Sequence, residues 1–226
     1  MRIGMFTASQ WQADEDPKVV LANLRQQVQM ARKTGFSSLL LGQHVVSGPM
    51  GMFQTNPLLG QLADDAAGMQ IGPGVLLLSM MNPVLAAEEG ATIDWLSGGN
   101  YVLAAGLGYR GEEFEAMGVD IKTRVGRLTE GLEVIKRLWS EDVVNHQGRY
   151  FQLTEARAGV RPLQQPRPPI WLGGDVEGAI RRAARLADAW LAAPTMSFTR
   201  LNECIGIFQD ERRQAGLDDT VKCPIV

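Results

Sequence analysis

Two rhythms of apolar residues alternate along the chain. Short runs of aliphatic and β-branched residues read as strands at residues 3–8, 36–41, 70–78, 101–107, 170–172, 189–192 and 221–226. Between them lie longer segments with helical spacing. Leu21, Leu24, Val28 and Ala31 share one helix face, and so do Leu128, Leu132, Ile135 and Trp139. A helix over residues 56–69 turns Leu58, Leu59, Leu62, Ala66 and Met69 inward. Asp16-Pro17, Asn56-Pro57 and Asn82-Pro83 each offer a side-chain N-cap followed by a proline suited to the first helical turn. Gly35 can close the first helix in the left-handed conformation, the third helix ends near Ser97-Gly98-Gly99, and Ser197 can cap the last one. A fifth helix is expected over residues 178–187. Residues 143–153 break the alternation with a small hairpin, and Pro162, Pro166, Pro168 and Pro169 follow in an extended stretch.

Strands alternating with helices at a spacing of about 30 residues predict a parallel sheet. A doubly wound dinucleotide fold would place G-x-G-x-x-G after the first strand, where Thr7-Ala8-Ser9-Gln10 stands instead. Gly106-Leu107-Gly108 follows the fourth strand, but no helix is expected to open at Gly111. Repeating units in unbroken order, without a second domain, favour an α/β barrel, the TIM (β/α)8 fold, as a single domain over residues 1–226, with its C-terminal strands missing from the sequence.

Composition narrows the function classes. The 226 residues are 45% hydrophobic and carry a net charge of −3, with no basic stripe, so nucleic acid is not an expected partner. No apolar run approaches the roughly 20 residues that span a bilayer, and the first residues lack the apolar core of a signal peptide, so no membrane partner and a cytoplasmic location are expected. Cys204 and Cys223 are too few for a disulfide framework, and neither a metal-ligand cluster nor a Gly-x-Ser-x-Gly elbow occurs.

Barrel enzymes work at the C-terminal ends of their strands, and that rule selects candidates. His44 follows the second strand and is either an acid–base group or a hydrogen-bonded rim residue. Ser79-Met80 follows the third strand and is either part of the site or plain core. Arg110, after the fourth, is an anion contact or a solvated surface residue. Gly173-Gly174-Asp175, before a helix, forms an anion-binding loop or a tight turn with Asp175 as N-cap. Thr195 lies after the sixth strand, and the apolar loop over residues 45–55 flanks His44.

Several stretches together resemble the bacterial luciferase-like, flavin-dependent monooxygenases and oxidoreductases. They are Gly35-Phe36-Ser37-Ser38-Leu39-Leu40-Leu41-Gly42-Gln43-His44, Asn82-Pro83-Val84-Leu85-Ala86-Ala87-Glu88-Glu89, and Thr92-Ile93-Asp94-Trp95-Leu96-Ser97-Gly98-Gly99-Asn100. Gly106-Leu107-Gly108-Tyr109-Arg110-Gly111-Glu112-Glu113-Phe114 and Arg127-Leu128-Thr129-Glu130-Gly131 continue the match. So do His146-Gln147-Gly148-Arg149-Tyr150-Phe151 and Pro168-Pro169-Ile170-Trp171-Leu172-Gly173-Gly174.

The resemblance implies the same barrel, short of about one and a half βα units. It implies reduced FMN across the rim, with Gly173, Gly174, Asp175 and Arg110 at its phosphate and Arg127 as a second phosphate contact. It puts a non-proline cis peptide at Ser79-Met80 beneath the ring, and His44 near the reactive edge. Ser79, Met80, Gly106 and Thr195 complete the expected cofactor-binding set. The implied activity is a monooxygenase that uses FMN from a separate flavin reductase and O2 to oxidise a small organic substrate, as a homodimer. One alternative is hydride transfer with the deazaflavin coenzyme F-420, whose users often carry an acidic residue where this chain has Gln43; that departure favours FMN. The other is a flavin-binding barrel without turnover.

Overall fold

The computed structural model describes residues 2–7 and 9–217. The expected strand at 221–226 and Cys223 lie outside the described residues. In chain order the elements are β1 (Gly4–Thr7), β2 (Gln10–Trp11), α1 (Pro17–Lys33), β3 (Ser38–Leu41), β4 (Gly51–Met52), α2 (Thr55–Leu62), β5 (Gln70–Pro73) and α3 (Pro83–Leu96). Then follow β6 (Leu103–Ala105), α4 (Gly111–Ala116), α5 (Arg124–Ser140), β7 (Val144–Gln147), β8 (Gln152–Ala156), β9 (Ile170–Gly173), α6 (Glu177–Leu186), β10 (Ala189–Leu191) and α7 (Phe198–Gln214).

β1, β3 and β5 pair in parallel, as do β6, β9 and β10. Parallel bridges Ile71–Tyr101 and Leu76–Ala105 join β5 to β6. The result is an arc of six parallel strands in chain order, with the pair β2–β4 and the hairpin β7–β8 outside it. No pairing between β1 and β10 closes a barrel among the described residues. Strands β3, β6 and β10 are apolar on both faces because both faces are covered. Leu39, Leu41, Leu103, Leu172 and Trp190 pack outward under the helices, while Leu40, Val102, Ala104 and Leu191 gather inside the arc with Val75 and Trp171.

Local chemistry explains most helix boundaries. Asp16, Asn82 and Ser197 cap α1, α3 and α7, accepting from the N–H groups of Lys18, Val84 and Arg200. Gly35 adopts φ +88° after α1. Asn56 departs from the expected cap. Its amide turns inward to Glu89 at 2.6 Å, and α2 starts two residues earlier, behind Gln54 with no side-chain cap. Glycine does open a helix after the fourth arc strand: α4 begins at Gly111, with Glu112 and Glu113 in its first turn, where the helix dipole favours carboxylates. The β2–β4 pair is too short to leave a periodic signal; Trp11 and Phe53 hold it, ring centroids 4.5 Å apart.

The proline-rich stretch is held against α3. Buried Asp94 accepts from the Gln164 backbone and side-chain amides, and Trp95 Nε1 donates to the Arg161 carbonyl. The hairpin is pinned to α5 by one side chain. The Glu130 carboxylate accepts from the backbone N–H groups of Arg149, Tyr150 and Phe151 and contacts His146 Nε2 at 3.3 Å. Gly148 permits this approach, since a Cβ there would lie 2.0 Å from Glu130 Oε1. Burial alone raises the Glu130 pKa, but the Phe151 and Tyr150 amides and His146 outweigh it and hold the carboxyl below its ordinary value.

A depressed folded pKa contributes stability above the unfolded value, which is lost as pH falls through the folded one. Glu130→Ala is therefore expected to cost about 2–3 kcal/mol at neutral pH in urea denaturation, as charged hydrogen bonds to buried partners do. The gap between variant and parent should narrow as the solution is acidified below the carboxylate range.

Candidate active site at the strand ends

All six arc strands point the same way, so the loops after β1, β3, β5, β6, β9 and β10 emerge on one rim. His44 lies three residues beyond β3. The Gly42 carbonyl accepts from Thr55 Oγ1 at 2.9 Å, and the His44 carbonyl accepts from Gln54 Nε2 at 3.1 Å. His44 Nδ1 lies 2.8 Å from Glu113 Oε1, which also accepts the Val45 N–H at 3.1 Å. A carboxylate oxygen only accepts, so Nδ1 is the donor in this contact, and that assignment leaves Nε2 for the rim. The His44 side chain is 22% exposed and that of Glu113 0%. Glu113 Oε2 is buried without a partner among the described residues. Tyr109 stands edge-on to the imidazole, centroids 6.1 Å apart.

Gln43 Oε1 accepts the Leu77 N–H at 2.8 Å and so ties the β3 end to the segment after β5. The non-proline cis peptide is in that segment, at Gly74–Val75 and not at Ser79–Met80. The correction follows from the early end of β5: residues Leu78–Met80 are already coiled in a 3-10 turn. Ser79 and Met80 are buried there. Ser79 Oγ donates to the Leu107 carbonyl, and Met80 packs with Leu77 and Phe114. Neither presents a side chain to the rim, and these residues read as core. Arg127 braces the same turn, donating through Nε to the Ser79 carbonyl at 2.8 Å, with its guanidinium 5.0 Å from the Phe151 ring.

Gly106 is buried against Val75; a Cβ there would lie 2.5 Å from Val75 Cγ2, and one at Gly173 3.1 Å from Val75 Cγ1. Val75 thus fits between the two strand ends because both are glycine. At Gly174 a Cβ would lie 2.5 Å from that of Ala179, so the turn into α6 is equally tight. The Gly174 carbonyl accepts from Trp190 Nε1 at 2.7 Å. Asp175 is exposed and does not cap α6. Val176 holds the cap position without a side-chain hydrogen bond, so the first-turn amides keep their donors. Thr195 is exposed on the next loop. Arg110 is half-buried at the start of α4, hydrogen-bonded to Tyr109, which raises the guanidinium pKa.

Three residues with no expected role join this rim. Glu113 is one. Arg124, the first residue of α5, and Arg182 on α6 are the others. Burial lowers the Arg182 pKa, and the Arg124 charge beside it lowers it further. Arg124 donates to the Ile121 carbonyl at 2.9 Å, and neither guanidinium has a carboxylate partner among the described residues. Two half-buried like charges next to an uncapped helix start form a setting for an anion.

A model of the luciferase-like monooxygenase family matches residues 1–223. The chain is 28% identical over 177 residues to the oxygenase component of a flavin-dependent trigonelline monooxygenase from Acinetobacter baylyi, covering 76% of this chain and 48% of that protein. It is 34% identical over 134 residues to an F420-dependent glucose-6-phosphate dehydrogenase from Amycolatopsis mediterranei, covering 58% of this chain and 40% of that protein. The crystal structure of the monooxygenase RslO1 from Streptomyces bottropensis superposes with a TM-score of 0.86 at 19% identity, covering 96% of this chain and 68% of that one. The chain spans about half the length of the curated relatives it matches. No helix among the described residues is long and apolar enough to cross a membrane.

Inorganic phosphate is expected to raise the melting temperature with the logarithm of its concentration above Kd, by about 1.4 kcal/mol of stability at tenfold excess. Arg182→Gln should remove most of that rise without lowering the phosphate-free melting temperature, because it also relieves a like-charge contact. An unchanged phosphate response in the variant would place the anion elsewhere.

Proposed function

The chain belongs to the luciferase-like monooxygenase family, and from that membership we propose that it is the oxygenase component of a two-component flavin-dependent monooxygenase acting on a small organic substrate. A separate reductase supplies reduced FMN. The observation that carries this reading is the pair of half-buried guanidiniums, Arg124 and Arg182, beside the uncapped start of α6. Their donor set fits a phosphate-bearing cofactor. Arg110 and the Gly173-Gly174-Asp175 turn would hold that phosphate with them, and Thr195 and Gly106 would complete the cofactor-binding set. Arg127 contributes by fixing the 3-10 turn. When bound, FMN supplies the electrons and the reaction with O2.

The protein's own part is proton control and orientation. Glu113 holds the His44 ring in one tautomer and orientation, so that Nε2 gives or takes a proton at a fixed place on the rim. Full burial of Glu113 keeps water from competing for that bond. The Val45 N–H shares the same carboxylate oxygen and limits its rotation. Gln43 fixes the loop on which Val75 sits. The homodimer and the closure of the arc into a full barrel by further strands belong to the same proposal.

A second reading, hydride transfer with F420, is favoured by the 34% identity to an F420-dependent dehydrogenase. Anaerobic titration with reduced FMN and reduced F420 separates the two. Tight binding of F420 alone would overturn the monooxygenase reading. Binding of FMN with no oxygen-dependent oxidation of any substrate offered would leave a flavin-binding barrel without turnover. His44→Asn is expected to lower kcat about a hundredfold or more, as loss of a positioned acid–base group does. The FMN Kd should hold within about twofold, since no phosphate contact is touched. Glu113→Gln should fall between parent and His44→Asn, with a shifted pH–rate profile.

A further inference from the structure

Just beyond His44 the backbone is strained. Val46 sits at φ +45°, a left-handed conformation that a β-branched residue keeps only where its surroundings enforce it. Its side chain is exposed, so packing of its own does not hold it there. The enforcement comes along the chain, from both sides. On one side the Val45 N–H donates to Glu113 Oε1 at 3.1 Å, the oxygen that also holds His44 Nδ1. On the other side the chain is caught at Gly51–Met52, where β4 pairs with β2. Between them Ser47 Oγ donates to the Met50 carbonyl at 3.2 Å and closes the turn.

Strands as short as β2 and β4 are not held by backbone pairing alone. Trp11 supplies the rest. Its indole lies so close to the Gly51 backbone that a Cβ at Gly51 would stand 2.0 Å from Trp11 Cε2. The same ring packs on Phe53. The Phe53 carbonyl in turn accepts from Ser9 Oγ at 3.4 Å. Gln54 and Thr55 follow Phe53 and donate to the carbonyls of His44 and Gly42. The loops after β1 and β3 are thereby locked together, and the far end of the lock is the backbone of His44.

We infer that Trp11 is a positioning residue for His44: it clamps the loop after β3 to the loop after β1, and so holds the left-handed turn at Val46 that keeps the Val45 N–H and the His44 ring on Glu113. This role rests on His44 being the acid–base group of the proposed reaction. Without the clamp, Val46 relaxes out of the left-handed region and the Val45 N–H leaves the carboxylate. The Glu113 oxygen then no longer fixes one tautomer of the ring.

The chain has 2 histidines, so long-range proton–nitrogen NMR spectra of the isotope-labelled full chain read each imidazole separately, with His44→Asn giving the assignment. At a pH above the ordinary histidine range, His44 of the parent should show the Nδ1–H tautomer. Trp11→Ala should move it towards a mixture of the two tautomers and lower the exchange protection of the Val45 amide about tenfold. His146 should not change. Gly51→Ala, which displaces the indole without removing it, should have the same effect, and Trp11→Phe, which keeps a ring on Phe53, should retain the parent pattern. The decisive variant combines Trp11→Ala with Val46→Gly. Glycine takes the left-handed turn without strain, so His44 should recover its single tautomer and Val45 most of its protection. An unchanged His44 in both Trp11→Ala and Gly51→Ala, an equal change at His146, or no recovery in the double variant would overturn the assignment. FMN titration by absorbance in the same samples keeps the two proposals apart. A chain whose His44 follows Trp11 in this way but which binds no FMN retains the clamp and loses the flavin reading; the reverse loses only the clamp.

Discussion

Six strands hydrogen-bonded in parallel, in the order in which they occur in the chain, fix where any chemistry can happen. Parallel pairing sends every connection back across the outside of the sheet, so each strand-to-helix loop must emerge at the same end. Residues as far apart in sequence as His44 and Phe198 share a rim for that reason alone. The constraint also explains the unbroken apolar strands. With helices outside and Leu40, Val102, Ala104 and Leu191 filling the inside, strands β3, β5, β6 and β10 have no solvent face on which to place alternating polar residues.

On that rim the most demanding group is the Glu113 carboxylate. It is fully buried, and its one protein-bonded oxygen holds both the His44 ring and the Val45 amide. A buried carboxylate with a vacant oxygen is costly unless a charged or strongly donating partner compensates. His44 is that partner, so the same interaction that makes the burial tolerable also sets the imidazole. Structure and reactivity are not separable at this pair. Replacing either residue changes both the local stability and the proton inventory of the site.

What could be read from the sequence divides along a physical line. Caps that act within a few residues were legible: Asp16, Asn82 and Ser197 all bond to the helix they precede. Asn56 has the same local pattern and fails as a cap because Glu89, thirty-three residues on, takes its amide. The hairpin and the strand order were legible from periodicity, whereas α4 and the β2–β4 pair are too short for any period to register. The expected rim mixed loop residues with core. His44, Arg110, Gly173, Gly174, Asp175 and Thr195 do stand at the strand ends. Ser79 and Met80 do not face the rim, because β5 ends at Pro73 and the chain coils inward before reaching them. Glu113 lay in a stretch that matched only as a whole, and Arg124 and Arg182 carried no local signal; the significance of all three is a matter of what tertiary packing sets beside them.

Arg124 and Arg182 show why such residues matter most where they are least stabilising. Two guanidiniums sharing a half-buried space repel each other, and burial adds to the cost, which is the sense of the lowered Arg182 pKa. The carboxylates of α6 and α7 do not relieve it. Glu211 is already taken by Arg181 and Arg185, and Glu177 by Arg181. A fold that spends its neighbouring acids elsewhere and leaves this pair unmatched would gain stability from an anion between them, which is why the phosphate site is proposed there.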